Sequence, residues 1–466
     1  MSSSIIPRRP YQPSAPDRYC RLFEPSPAAP KINWERLSDS MKSDQTAIPQ
    51  TLWRSDPVGA GYTYFGQFVD HDLTEDRTPF HAAGITEPKD TENRRVPYLD
   101  LDSLYGHGPA CPLYRDLYDA DGISFRLGES IINGQQFDVP LTNGSPRFAD
   151  PRNGENIIVR QVHAMFLKLH NVAVENLKKN NPTLSEVDIF AKARERVTWQ
   201  YQWLVRHDFL SRICNRDTYH DVVERRHYRI DWQTAGFSIP IEFSQAAFRF
   251  GHSMVRPGYR LNKNTDAHLH ELFMTTGQLS PMVAVDWYEF LEGNEFSMRI
   301  DTSITTDLFE LPDADIRLFV TAEGPHGPSA LPLRTLRRGA ASRVPTGQDV
   351  RDKLCPTATL APVPEAPGYS YDPWEILKEL QLQESIPLWY YILLEAELNE
   401  NGLRLGEVGS RLVLEVIEGC LWADSNSFVV RCGPEWGPPV WTAADGTNFQ
   451  IETLFGIAKL VGLVQD

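Results

Sequence analysis

A mainly α-helical fold is what this sequence predicts, on three observations. Apolar residues recur at helical spacing over long stretches, helix starts are marked by proline, glycine or aspartate, and strand signals are sparse. The chain has 466 residues, beyond the size at which a single core usually stops growing, so one large domain or two intimate ones are expected, with room to bury a site deeply. Hydrophobic residues make up 41% and charge is spread evenly, as in a globular protein, while 35 prolines imply many ordered loops. The formal net charge of −16 disfavours a nucleic-acid partner, and no basic stretch with interleaved aromatics argues otherwise. Anionic partners are repelled on average.

The elements follow in order. Residues 1–30 form a Pro/Ser-rich arm, expected to wrap the surface, ahead of one domain over residues 31–466. The start "MSSSIIPRRPYQPSAPD" lacks the apolar core of a signal peptide, and no run reaches the roughly 18 apolar residues of a spanning helix. A cytoplasmic chain with no membrane anchor is therefore expected. In "SDPVGAGYTYFGQFVDHD", Asp56 as N-cap and Pro57 as first helical residue start a helix. Short strands are expected near residues 123–131 and 428–431. Over residues 155–176, Ile158, Val162, Met165, Phe166, Leu169 and Ala173 recur as on a helix packed into the core, which brings His163 and His170 near one another. Further helices are expected over residues 191–214 and 242–255, the second ended by Pro257, and after Pro373, Pro387 and Gly406. Loops rich in proline and glycine fill much of residues 301–332 and 339–370. Six cysteines (Cys20, Cys111, Cys214, Cys355, Cys420, Cys432) form no CxxC pair, so free thiols are expected rather than a zinc site or disulfide framework.

Four segments carry chemistry. In "YTYFGQFVDHDLTED", Gln67 and His71 stand one helical turn apart on one face while Asp72 points elsewhere. A buried histidine beside a glutamine can shuttle a proton, although a core histidine bonded to backbone explains a lone histidine as well. In "VPYLDLDSLYGHG", Asp100 and Asp102 with intervening carbonyls offer several of the oxygens that Ca²⁺ wants; an acidic surface turn fits the bare pattern equally. In "FADPRNGEN", Arg152 and Glu155 lie at a helix start that Asp150 can cap, and capping is also the simplest account of the acidic residues. In "AAFRFGHSMVRPGYRLN", His252 follows Gly251 on an apolar helix with Arg249 a turn earlier. A glycine beside a histidine lets something flat and large approach the backbone, and haem fits that description.

Together and in this order, the four segments resemble the animal haem peroxidase superfamily, particularly its bacterial branch. The resemblance implies a mainly α fold with haem b between core helices. "GQFVDHD" is similar to the family's distal helix, which implies Gln67 and His71 as distal residues, Asp70 as a residue that esterifies a haem methyl, and Asp72 as a calcium ligand. "VPYLDLDSLYG" resembles the calcium loop, with Asp100 and Asp102 as side-chain ligands and Val96 and Tyr98 giving carbonyls. "DPRNGEN" resembles the segment with the distal arginine, here Arg152, and the second ester-forming carboxylate, here Glu155. "VRQVHAMFLKLHN" keeps the family's spacing to His170 and Asn171. "FRFGH" implies His252 as the iron ligand, and "LPLRTLRRG" implies that Arg338 meets a haem propionate. "PLWYYILLEAE" and "LGEVGSRLVLEVIEG" resemble the closing helices, so the likeness runs from about Leu22 onward.

The implied activity is reduction of hydrogen peroxide through a ferryl intermediate, with His71 moving the proton and Arg152 stabilising charge on the oxygens. The donors would be bromide, iodide, thiocyanate or phenolic and aromatic compounds. Two residues depart from the pattern. Asn156 follows Glu155 where some mammalian members carry a methionine that bonds haem, which disfavours chloride as donor. Thr335 stands where an asparagine usually accepts from the iron-bound histidine. Two alternatives come from other classes: a fatty-acid dioxygenase of the same superfamily, disfavoured because Arg249 occupies the place of its radical tyrosine, and a haem-bound adhesion or scaffold protein, disfavoured by the joint presence of Gln67, His71, Arg152 and His252.

Overall fold

A computed structural model describes residues 17–26, 32–43, 57–76, 87–232, 237–273, 276–311, 329–363 and 372–464. Within them helices dominate, and the short strands pair only in twos. The helices that position the site are α1 (Ala60–Leu73), α2 (Ile157–Asn180), α3 (Glu186–Leu204), α4 (Leu331–Ala341), α5 (Gly347–Leu354), α6 (Leu388–Glu400) and α7 (Glu407–Ala423). The helices expected after Pro387 and Gly406 are α6 and α7, and the one after Pro373 is Pro373–Glu379. Among the described residues no helix is long and apolar enough to cross a membrane. All six cysteines are free thiols.

Helix α2 packs against both α1 and α3, and every residue from Ile157 to His170 is buried, not one face only. Its polar residues are buried with partners, which is the condition for keeping them there. Arg160 binds Asp138 through Nε at 2.8 Å and Nη2 at 2.7 Å. Gln161 donates to the Ile157 and Val283 carbonyls and accepts from the Val285 N–H. His170 Nε2 donates to the Ile123 carbonyl at 2.8 Å, which leaves Nδ1 to accept from the Tyr105 hydroxyl at 3.0 Å. His170 is thus a core histidine.

Several sequence expectations are corrected. Helix α1 starts at Ala60 with Gly59 as N-cap, after Pro57; Asp56 lies outside the described residues. Ala60 N–H donates instead to the Glu295 carbonyl at 2.7 Å, so tertiary contact sets the start. The helix expected over residues 242–255 is broken into Ile241–Ser244 and a 3₁₀ segment Ala247–His252. Ala246 leaves helical geometry (φ −135°, ψ −71°), and Arg249 Nε takes the Ser244 carbonyl at 2.8 Å, the acceptor an unbroken helix would have used.

Residues 123–130 form no strand. Both Phe125 backbone groups are satisfied by the Asn171 amide, at 2.8 and 2.9 Å, Phe125 makes no more than an isolated antiparallel bridge with Tyr118, and Ile131–Ile132 pairs with Gln135–Gln136. Phe428–Cys432 is a helix capped by Ser427, because a short apolar run reads alike as strand or helix. The loop expected from residue 339 contains the end of α4 and all of α5, whose start carries a capping box between Thr346 and Asp349. Residues 312–328 and 364–370 of the expected loops lie outside the described residues, as do residues 1–16 and 27–30 of the arm. The part of the arm that is described does not only wrap the surface: Asp17–Arg18 pairs with Glu92–Asn93, and Tyr19 is buried.

Candidate active site

A cavity of about 240 Å³ opens beside α1, lined by Gln67, Asp70, His71, Arg152, Glu155, Arg249, His252, Thr335 and Arg338. These residues come from four separate stretches of sequence, and all were singled out there. Asp72 is absent from the lining, as expected for helical neighbours that point about 100° apart. The same helix thus shows Gln67, Asp70 and His71 to the cavity and Asp72 to a different site.

His71 is held from behind. Its Nδ1 lies 2.9 Å from Asn153 Oδ1, and Asn153 Nδ2 lies 3.1 Å from His163 Nδ1. Burial first, and the Arg152 charge second, push the His71 imidazole down to about 4, while burial pushes His163 to about 3. Both rings are therefore neutral at pH 7. On the cavity side His71 Nε2 lies 3.7 Å from Glu155 Oε2, which also accepts from Gln67 Nε2 at 2.9 Å. Asn156 Nδ2 donates to Gln67 Oε1 at 3.1 Å, and Asn156, not Asp150 or Glu155, caps α2. Glu155 stands just before the helix rather than in its first turn.

Asp150 caps the 3₁₀ turn Pro151–Gly154 by accepting from Arg152 N–H. It also binds the Arg152 guanidinium, with Nη2 at 2.7 Å, and Arg95 Nη2 at 2.8 Å. Burial alone would raise the Asp150 carboxyl, but Arg152 and Arg95 outweigh it and hold it well below the usual range. The remaining Arg152 contacts are Nη1 to the Thr74 carbonyl at 2.6 Å and Nη2 to the His71 carbonyl at 2.9 Å. The guanidinium is locked onto the C-terminal end of α1, where a helix favours positive charge.

His252 is held neutral by burial, then by the charges of Arg249 and Arg334, and its ring meets the Trp389 edge at 5.9 Å. Its Nδ1 is buried and finds no hydrogen-bond partner among the described residues. The Thr335 hydroxyl donates to the Leu331 carbonyl of its own helix at 3.0 Å. A Cβ placed on Gly251 would meet nothing within 4 Å, so space lies open beside His252. Arg338 donates to Asp76 Oδ2 at 2.5 Å. A neutral imidazole with a lone pair for iron, arginines for acid groups and open space beside a glycine are a donor set that fits haem.

Away from the cavity, Asp72, Asp100 and Asp102 offer carboxylate oxygens that all lie within 4.8 Å of one another. Burial first, and Asp100 second, push Asp72 up to about 7, and burial pushes Asp102 well up. Asp72 accepts from the Leu101 and Ser103 N–H groups, which holds it on the loop, where Leu101 adopts a left-handed conformation (φ 58°). The Val96 carbonyl accepts from Tyr98 N–H at 2.7 Å, and Val96 N–H reaches Asp102 Oδ2 at 3.5 Å.

Sequence reasoning missed Asn153, His163, Arg95, Arg334 and Tyr19 as parts of this neighbourhood. Asn153 sits inside a quoted motif, and its polar side chain between Arg152 and Gly154 was the available signal. Arg334 likewise sits inside "LPLRTLRRG", one turn before Arg338, whereas Tyr19 lines the cavity from a segment whose local pattern carries no such mark.

The family model described as animal haem peroxidase matches residues 76–311. The dual oxidase of Drosophila melanogaster is 29% identical over 39% of this chain and 13% of its own length, and the thyroid peroxidase of Mus musculus is 25% identical over 41% and 22%. The chain therefore spans less than a quarter of the length of these two curated relatives. Among solved structures, peroxidase A from Dictyostelium discoideum superposes with a TM-score of 0.65 at 17% identity, covering 97% of this chain and 95% of that one. A fatty-acid α-dioxygenase from Oryza sativa gives 0.63 at 14% identity, over 89% and 76%. At these identities the likenesses establish the fold.

Proposed function

Because the chain belongs to the animal haem peroxidase family, we propose that it is a haem-dependent peroxidase that reduces hydrogen peroxide and oxidises bromide, iodide, thiocyanate or small phenolic donors. The observation that carries this reading is one cavity lined at once by His71, Arg152 and His252. His252 would hold the iron, Arg249 and Arg338 would face the propionates, and Asp70 and Glu155 would form esters with the porphyrin. Haem, when bound, supplies the iron that binds peroxide and the ring that stores oxidising equivalents. His71 Nε2 takes the proton from the peroxide O–H and delivers it to the departing oxygen, which leaves as water. The Arg152 guanidinium, fixed by Asp150 and two carbonyls, stabilises negative charge developing on the oxygens without having to reorganise. Gln67 orients Glu155 beside His71. Calcium would sit among Asp72, Asp100, Asp102 and the Val96 and Tyr98 carbonyls, bracing the helix that carries His71.

The fold is equally compatible with fatty-acid dioxygenation, and Arg249 in place of an oxidisable tyrosine favours the peroxidase. Haem-loaded protein given peroxide should oxidise iodide and guaiacol-type phenols, and linoleate should consume no oxygen. Oxygen uptake with linoleate at the rate of phenol oxidation would reverse the ranking. After turnover, acidified acetone should leave haem on the protein, and Asp70→Ala with Glu155→Ala should release it; full release from the unsubstituted protein removes the esters.

A further inference from the structure

The side of His71 that faces away from the cavity is as constrained as the side that faces it. Asn153 is fully buried, and its amide lies between two imidazoles, with Oδ1 2.9 Å from His71 Nδ1 and Nδ2 3.1 Å from His163 Nδ1. The amide's orientation is decided by a third group. The Ser103 carbonyl, an acceptor only, lies 3.5 Å from Nδ2, and flipping the amide would set two oxygens against each other there. With Oδ1 turned to His71, only a proton on Nδ1 of His71 completes that bond, so Nε2 keeps its lone pair. His163 must in turn accept at Nδ1, and its burial keeps it neutral and able to do so. Its ring is clamped by Phe148 at 5.2 Å and Phe68 at 6.2 Å. Gly154 belongs to the same device, because a Cβ there would meet the Phe148 ring at 2.5 Å.

We propose that Asn153 is a positioning residue: anchored by His163 and the Ser103 carbonyl, it keeps the His71 proton on Nδ1 and the Nε2 lone pair toward the cavity. An amide does this without adding charge, whereas a carboxylate in the same place would add a negative charge beside Arg152 and Asp150. The catalytic consequence rests on the peroxidase reading, since a base that takes the peroxide proton must present a lone pair. The tautomer itself does not depend on that reading.

The test uses the full chain with ¹⁵N-labelled histidine and asparagine, loaded with zinc protoporphyrin as a diamagnetic stand-in, together with iron-haem protein for kinetics. At pH 8 the His71 Nδ1 resonance should fall in the protonated range and Nε2 in the unprotonated range, and an N–N coupling should connect Asn153 Nδ2 to His163 Nδ1. In Asn153→Leu the two His71 signals should move toward each other as both tautomers populate, and the rate with peroxide should fall about tenfold or more. Asn153→Asp, which keeps an acceptor oxygen, should restore the Nδ1–H tautomer and recover part of the rate. A wild-type His71 protonated on Nε2, or an Asn153→Leu protein with unchanged tautomer and rate, overturns the proposal, and the wild-type spectrum decides even if the variant does not fold. A wild-type protein inert to peroxide but with His71 protonated on Nδ1 overturns the peroxidase reading and supports the positioning role.

Discussion

Arg152 shows how one residue's chemistry depends on partners far along the chain. Its guanidinium is positioned by Asp150 two residues before it and by the Thr74 and His71 carbonyls about eighty residues before it. Lysine keeps the charge but not the planar fork, so Arg152→Lys should lower the rate with peroxide by roughly 10²–10³-fold, read by stopped flow, with haem content unchanged. Asp150 carries the matching stability prediction. Its folded-state pKa is depressed, so its contribution is present above the unfolded carboxyl value of about 4 and is lost as pH falls toward the folded value. Urea unfolding should show stability dropping as pH falls below about 4, with a shallower drop in Asp150→Asn. That variant should be less stable at neutral pH by roughly 3 kcal/mol, because Arg152 loses its carboxylate partner and Arg95 loses one of three.

Helix α1 serves two sites at once, with His71 on the cavity and Asp72 toward Asp100 and Asp102. Its register was legible in "GQFVDHD", since successive helical residues must diverge in direction. Its start was not, because Ala60 is satisfied by the Glu295 carbonyl, a contact that no local pattern announces. Three carboxylates so close, with Asp72 and Asp100 buried and Asp102 half-buried, repel one another, and a cation removes that repulsion. Calcium should therefore raise the midpoint of thermal unfolding, by a free energy of about 2.7 kcal/mol at one hundred times its Kd, and a chelator should reverse it. Asp72→Asn should make the midpoint indifferent to both. Arg95 links this site to the cavity wall, since it touches Asp102 at 3.5 Å and Asp150 at 2.8 Å.

At the scale of the whole molecule, a net charge of −16 surrounds a cavity lined by Arg152, Arg249, Arg334 and Arg338. The long-range field repels anions, and salt screens it before it screens contacts within the cavity. Raising ionic strength from about 0.01 M to about 0.15 M with an inert salt should therefore speed iodide oxidation and leave a neutral phenol unaffected. An iodide rate that falls with salt would mean that the arginines, not the net charge, govern approach.

By itself the sequence determined the helical class, the late helices and part of the set of residues that meet in the cavity, Tyr19 and Arg334 excepted, because helical periodicity and short motifs are local properties of a chain. Tertiary structure alone decided where helices break and which groups hold the site. The break at Ala246 depends on Arg249 claiming the Ser244 carbonyl, and the missing strand at Phe125 on the Asn171 amide. The pairing of Arg338 with Asp76 and the chain from His71 through Asn153 to His163 join residues distant in sequence. Such contacts leave no periodic trace, since burial and hydrogen-bond satisfaction arise only once the segments have packed together.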